Sequence, residues 1–563
     1  MGLGTPMTPT VSNPTFSNSS ADDPRLALAF PTLAEADLIT LEGIGKPVHI
    51  PKGDPVWRAG EADMGMFVVV EGEMAIVDGR TGAHVATHPK GHFSGDIDVL
   101  SGRPAMVTGL AQTDLDVLKV PADCVRTIVG ENPALGELIL RAFLMRRTLL
   151  QEGEFGPLVV GSRYSPDTLR IREFLARNRF PYTWEDLEGD PRTGSMLAEF
   201  HVTEEQTPVV VLPNGAVLRV PSNLDLANGL GIARPSQAEL YDLVVIGAGP
   251  AGLAAAVYGA SEGLNTLVLD SSGPGGQAGT SARIENYMGF PGGVSGQELA
   301  DRAVVQAERF GVQMLVPALV TNITCNRQGG HEIELKDKST IEARCVILAT
   351  GATYRKLDVG DLERFEGRGV YYACTNVERI LCKDSAVAVV GAGNSAGQAA
   401  VFLAESTSSV FLVVRGDDLR KTMSSYLARR IEQSKHISVI LSSEICELTG
   451  NAFIQGAKIL NHVTKESRSE ALSGIFVMIG AIPRTEWLPE SIKRDDKGFV
   501  ITGQTLVQEG SWPLSRPPYY LETSCPGVFA AGDVRSASVK RVASAVGEGS
   551  MSVAFVHQYL ANT

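Results

Sequence analysis

No two of the seven cysteines stand two residues apart, and none falls at metal-ligand spacing. The sequence therefore holds no C-x-x-C pair, and no metal centre is expected. Cys124, Cys325, Cys345, Cys374, Cys382, Cys446 and Cys525 are scattered as they would be in a reducing cytosol, most of them as small buried hydrophobes. Positive charge is also short. Against 64 Asp and Glu there are 50 Lys and Arg, a net charge of -14 that excludes a general nucleic-acid binder. No apolar run reaches the length of a membrane span, and no early segment has the basic-then-apolar form of a signal peptide. A cytoplasmic protein without a membrane segment is expected.

At 563 residues the chain is too long for one core, and three or four domains are expected. Residues 1–26, rich in Ser, Thr, Pro and Asn, read as a disordered tail.

The C-terminal half carries chemistry. Tyr241 to Gly252 is an apolar strand running into G-x-G-x-x-G and a small-residue helix. Gly247 makes the tight turn, Gly249 lets the backbone approach a pyrophosphate, and Gly252 lets helix and strand pack closely. The helix N-terminus offers free N–H groups to the phosphates. The next strand ends in Asp270, 18 residues after Gly252, where a ribose hydroxyl needs an acceptor.

A second copy runs from Ala386 to Ala396, with Gly391, Gly393 and Ala396 in the three small positions. Its following strand ends in Arg415, with Arg420 and Lys421 one turn on. Cations there suit a 2′-phosphate, so NADPH is favoured, with NADH possible. They could also only solvate a helix end. Two such units imply one flavin and one nicotinamide dinucleotide with a hydride passed between them. A third block, Val528 to Asp533, is a short strand ending in Gly-Asp, where an acid could bond a polyol.

With these pieces, and with Gly275-Gly-Gln277, Ile284-Glu-Asn-Tyr287 and Ala349-Thr-Gly351, residues from about 240 to 563 resemble the low-molecular-weight thioredoxin reductase family of flavoproteins. The resemblance implies FAD and NAD(P)H as cofactors, Gln277 and Asn286 against the flavin ring with Gly276 in the same cofactor site, Asp533 on the ribityl chain, and Arg541 closing the flavin site. Arg415 and Arg420 match two of the family's 2′-phosphate positions; a third is Gly416. The implied fold is α/β with two Rossmann-like units: an FAD domain at 240–358 plus 485–563, and an NAD(P) domain at 359–484 inserted between.

The family's reductases carry C-x-x-C-D just ahead of the second glycine loop, two thiols for electron transfer and an acid to supply a proton. Counting back from that loop, this chain reads Cys374-Thr-Asn-Val377-Glu378, so Val377 replaces the flavin-facing thiol. Counting forward from Gly367 slips the register by one. Either way the dithiol is absent. Cys374 and Glu378 remain as candidate catalytic residues, Cys374 also reading as a small buried side chain. Cys382, eight residues on, is expected to face elsewhere.

Ahead of this half, residues 27–150 read as short strands with glycine turns and a closing helix, and resemble the cyclic-nucleotide-binding β-roll of the catabolite-activator type. The family's ribose-binding Gly-Glu is Gly95-Asp96 here, and its phosphate-binding arginine is Ala105, with Arg103 two residues early. Cyclic-nucleotide binding and a degenerate dimerisation role both stay open. The helix from Leu135 to Met145 has the apolar period for a partner helix, and a homodimer is expected. Residues 157–235 resemble a glutaredoxin-like domain with Thr207-Pro208 at the cis-proline position and no thiols near Ser162–Pro166.

The chain thus reads as an FAD-dependent NAD(P)H oxidoreductase. Its electron acceptor is open between a thioredoxin-like and a ferredoxin-like protein. A redox or cyclic-nucleotide sensor is the alternative from another class.

Overall fold

The computed structural model describes residues 23–562 apart from 63, 153–154, 189–201, 234–237, 282–283, 285–286, 327–329, 367, 373, 375–378 and 380–381. Asn286 and Glu378, both expected at the site, lie outside the described residues, as does Val377.

Residues 46–120 build two antiparallel sheets. One orders Lys46–Ile50, Leu115–Val120 and Met66–Glu71; the other orders Pro55–Trp57, Val107–Ala111, Met74–Asp78 and His84–His88. Met74–Asp78 alternates buried and half-buried positions, as a strand with one face on a core must. The helix Pro133–Glu152 follows, with Asn132 Oδ1 accepting from the Leu135 N–H at 3.2 Å. Its apolar stripe was expected to face a partner. Instead Leu135, Ile139, Ala142 and Phe143 are at most 1% exposed and pack on Met66, Val68, Phe93 and Leu118 of the same chain. A periodic stripe reports burial, and this one is satisfied internally.

A third sheet orders Val217–Arg219, Val209–Val211, Leu158–Val160 and Thr183–Glu185, with the last pair parallel and the others antiparallel. The helix Pro166–Arg177, capped by Ser165, connects its first two strands in sequence, and the Thr207–Pro208 peptide bond is cis.

The first Rossmann-type sheet is parallel through Gln313–Leu315, Thr266–Leu269, Leu240–Ile246 and Thr340–Leu348. Val528–Ala530 pairs parallel with the far end of Thr340–Leu348, while an antiparallel meander pairs with its near end. The strands are near-continuous apolar runs because both faces are covered. On one face lies Pro250–Ser261, and the last helix, Val542–Leu560, packs on it so closely that a Cβ at Gly549 would sit 2.1 Å from the Ala251 carbonyl oxygen. The second parallel sheet orders Val370–Tyr371, Gly474–Val477, Ala386–Val390, Ser409–Val413 and Ile437–Ile440. Its chain enters and leaves through an antiparallel pair, Ala352–Tyr354 on Ala481–Pro483.

Two cysteines depart from the expectation of buried thiols. Cys325 and Cys525 form a disulfide, their Cα atoms 6.3 Å apart and 200 residues apart in sequence. They come from the end of a meander strand and the loop before Val528–Ala530, so no local spacing could have paired them.

Candidate functional site

Close packing shapes the first glycine loop. Gly247 has φ +107°, and a Cβ there would lie 2.4 Å from the Ala349 carbonyl oxygen. A Cβ at Gly252 would come within 1.8 Å of the Gly247 oxygen. Gly249 differs: only the Gly276 Cα comes within 4 Å of its added Cβ, at 3.8 Å. No side chain caps the helix that Gly249 opens, so its first-turn N–H groups have no side-chain acceptor there. The loop carrying Gly276 and Gln277 closes beside it, with the Gly275 N–H donating to the Ala248 oxygen at 2.9 Å.

Asp270, expected to receive a ribose hydroxyl, also shapes this loop. Its carboxylate accepts from the Ala248 N–H at 2.8 Å and from the Ser272 and Gly273 N–H groups at 2.9 Å. Asp533 follows the strand Val528–Ala530 and is half-buried. Among the described residues its carboxylate has no hydrogen-bond donor; its backbone oxygen accepts from Lys540 Nζ at 2.6 Å. Burial pushes the Asp533 carboxyl above the usual range, Lys540 partly offsets this, and Glu548 adds to it. Arg541 is exposed, at the N-cap of the final helix. An uncapped helix N-terminus beside a glycine cradle, with a desolvated carboxylate near it, fits a flavin dinucleotide.

The second loop repeats the pattern. A Cβ at Gly391 would lie 2.4 Å from the Met478 oxygen, while one at Gly393 meets nothing within 4 Å. The helix Asn394–Leu403 has no side-chain cap either, and Ala396 is fully buried behind the loop. The expected basic cluster is only partly open. Arg420 pairs with Glu432 at 2.6 Å, and Lys421 with Asp417 at 2.6 Å. Arg415 is exposed, with no carboxylate partner among the described residues.

Cys374 is half-buried against an apolar cluster that includes Val387, Val389 and Phe476. Cys382, expected to face elsewhere, belongs to the same cluster at 1% exposure.

In the β-roll, Asp96 and Arg103 are engaged with other residues of the chain. Asp96 caps the short helix Ile97–Ser101 and pairs with Arg147 at 2.6 Å; Asp98 pairs with the same guanidinium at 2.5 Å. Arg103 donates to the Asn178 oxygen at 3.0 Å and lies 3.9 Å from Glu308. Arg146 lies within 4.7 to 6.0 Å of the ring centres of Phe93, Phe30 and Phe143. Sequence alone carried no signal for Arg146 or Asn178, because each acts on residues remote in the chain. Asn178 Nδ2 donates to the Ser272 oxygen at 3.0 Å, and Arg177 Nη1 to the Gly276 oxygen at 3.4 Å. The 157–235 segment thus abuts the first dinucleotide loop.

Among the described residues no helix is long and apolar enough to cross a membrane. The family model of pyridine nucleotide-disulphide oxidoreductases matches residues 241–549, and that of the cyclic nucleotide-binding domain matches residues 47–132. The chain is 30% identical to a thioredoxin reductase of Listeria monocytogenes over 328 residues, 58% of this chain and 95% of that one. It is 33% identical to a component of the alkyl hydroperoxide reductase of Pseudomonas putida, over 58% of this chain and 59% of that one. The solved thioredoxin reductase of Streptococcus pyogenes superposes with a TM-score of 0.50 at 32% identity, covering 58% of this chain and 99% of that one. With its two Rossmann-type sheets and the cyclic nucleotide-binding domain ahead of them, the chain belongs to the pyridine nucleotide-disulphide oxidoreductase family, among its thioredoxin-reductase-like flavin-dependent oxidoreductases.

Proposed function

We propose that this protein takes reducing equivalents from NADPH through FAD and delivers them to a protein acceptor that brings its own redox centre. The observation that carries the reading is the pair of uncapped helix N-termini, each behind a glycine loop, in a chain without a C-x-x-C pair. Bound FAD supplies the two-electron acceptor for the nicotinamide hydride. Gly247, Gly249, Gly252 and Gly276 shape its phosphate cradle, Asp270 fixes that loop and receives a ribose hydroxyl, and Asp533 accepts from the polyol. Gln277 and Asn286 border the ring, and Arg541 closes the site. Gly391, Gly393 and Ala396 hold the nicotinamide dinucleotide, and Arg415 with Arg420 meets the 2′-phosphate. Division of the chain at 240–358, 359–484 and 485–563 follows from these roles, with 157–235 as a thiol-free glutaredoxin-like adaptor and homodimerisation through surfaces outside the satisfied helix stripe.

A thioredoxin-like disulfide is the favoured acceptor, because Cys374 stands half-buried at the family's dithiol position with Glu378 four residues on. A ferredoxin-like acceptor is the second reading, resting on the absent C-x-x-C. The test is anaerobic bleaching of the flavin band by NADPH, followed by reoxidation with thioredoxin, ferredoxin or oxygen. A protein acceptor is expected to outpace oxygen at least tenfold. With thioredoxin, Cys374→Ser is expected to slow reoxidation. Oxygen as the fastest acceptor would overturn the proposal, and ferredoxin as the fastest would select the second reading.

A further inference from the structure

The β-roll encloses a cavity whose walls are mostly apolar: Trp57, Ile76, Val85, Ala105, Met106 and Leu150 line it. His88 and Arg146 also line it. Both residues are nearly inaccessible, Arg146 at 6% and His88 at 2% exposure. Arg146 donates from Nε to the Ala29 oxygen and from Nη1 to the Gly95 oxygen, each at 2.7 Å. Its Nη2 has no hydrogen-bond partner among the described residues, and neither does His88 Nδ1.

Charge makes the omission significant. Asp96 and Asp98, which also line the cavity, are both held by Arg147, and Glu308 is shared by Arg103 and Arg179. Arg146 is left with carbonyl oxygens, aromatic rings and a more distant Asp96. Burial pulls its guanidinium down to about 9. A buried cation without a contacting anion is costly. An anion entering the cavity would relieve that cost.

We propose that this cavity binds a short-chain monocarboxylate, its carboxylate on Arg146 Nη2 and His88 and its hydrocarbon body against Trp57, Ile76, Val85 and Ala105. A planar carboxylate complements the Nη2 side of a guanidinium whose Nε and Nη1 already donate to carbonyl oxygens. A cyclic nucleotide fits this chemistry poorly. Its ribose hydroxyl would need the Asp96 carboxylate, which is engaged by Arg147 and by the Asp98 N–H, and the cation of the family's phosphate position is Ala105. Its base would put several polar atoms against apolar walls, where unpaired ones are costly.

The test uses the full-length flavin-loaded protein, with butanoate as the probe and its binding followed by saturation-transfer NMR titration. Butanamide, the neutral isostere, and cyclic AMP are titrated alongside. Butanoate is expected to bind at least tenfold more tightly than either. Arg146→Met is expected to weaken butanoate at least tenfold. Because Arg146 also holds two backbone carbonyls, a second variant leaves it in place: Ala105→Leu narrows the cavity and is expected to weaken butanoate while acetate binding persists. Butanamide binding as tightly as butanoate, cyclic AMP binding more tightly than both, or butanoate binding unchanged in Ala105→Leu would each overturn the proposal.

Discussion

Arg415 shows how one side chain can carry more of a specificity than its neighbours do. Arg420 and Lys421 are held by carboxylates of the same surface, so a 2′-phosphate would have to compete with Glu432 and Asp417 for them. Arg415 has no such competitor among the described residues. Arg415→Ala should therefore raise the KM for NADPH about tenfold, the scale of one charge-assisted contact, and leave that for NADH unchanged; steady-state kinetics with both dinucleotides reads this. His331 acts on stability. It is buried beside the Cys325–Cys525 pair, and burial holds its imidazole down to about 4. The folded state keeps His331 neutral while the unfolded chain protonates it near its ordinary value of 6.5. Its contribution is then fully present above that value and is lost as pH falls from 6.5 towards 4, by about 3 kcal/mol at most. Urea midpoints measured at pH 7 and pH 5 should show the loss, and His331→Asn should flatten it.

At the scale of elements, the sequence was most legible where a pattern is local. Strand, glycine turn and helix at 241–252 follow from an apolar run, three small residues at fixed spacing and a proline at the first helical position. The same logic located Ala386–Val390 with Asn394–Leu403. It misled for Pro133–Glu152, because an apolar stripe does not say whether its cover comes from the same chain or another. It also misled for Cys382, because a helical spacing between two residues does not settle whether both reach the same core, and Cys374 and Cys382 pack in one cluster. The crossing of Pro250–Ser261 with Val542–Leu560 gives an element-level prediction. Gly549→Ala forces a methyl against the Ala251 backbone and should destabilise the protein by about 1–3 kcal/mol. Thermal unfolding would read the loss, and because the displaced helix carries the dinucleotide loop, faster flavin release should accompany it.

Across the whole molecule, contacts join the β-roll to the dinucleotide loop. Arg103 lines the β-roll cavity and donates to the Asn178 oxygen; Asn178 Nδ2 donates to the Ser272 oxygen, and the Ser272 N–H donates to Asp270. A Cβ at Gly273 would lie 2.8 Å from the Arg177 Cβ, so the loop and the end of the helix Pro166–Arg177 are in direct contact. Asn178→Ala removes the bridging amide and should speed FAD release on dilution at least threefold. Unchanged release, followed by flavin fluorescence, would show that this contact is passive.

The sequence by itself determined the two dinucleotide units, their glycine positions and the absence of a C-x-x-C pair, because each is written in residues a few positions apart whose spacing has a steric reason. Tertiary structure alone decided which charges are left over. Asp96 and Asp98 are taken by Arg147, Arg420 by Glu432, and Arg146 by no contacting carboxylate among the described residues. Pairing of that kind depends on three-dimensional proximity and burial, which sequence spacing does not encode across long separations, that of Asp96 and Arg147 being 51 residues. The Cys325–Cys525 disulfide, closed across 200 residues, was hidden for the same reason.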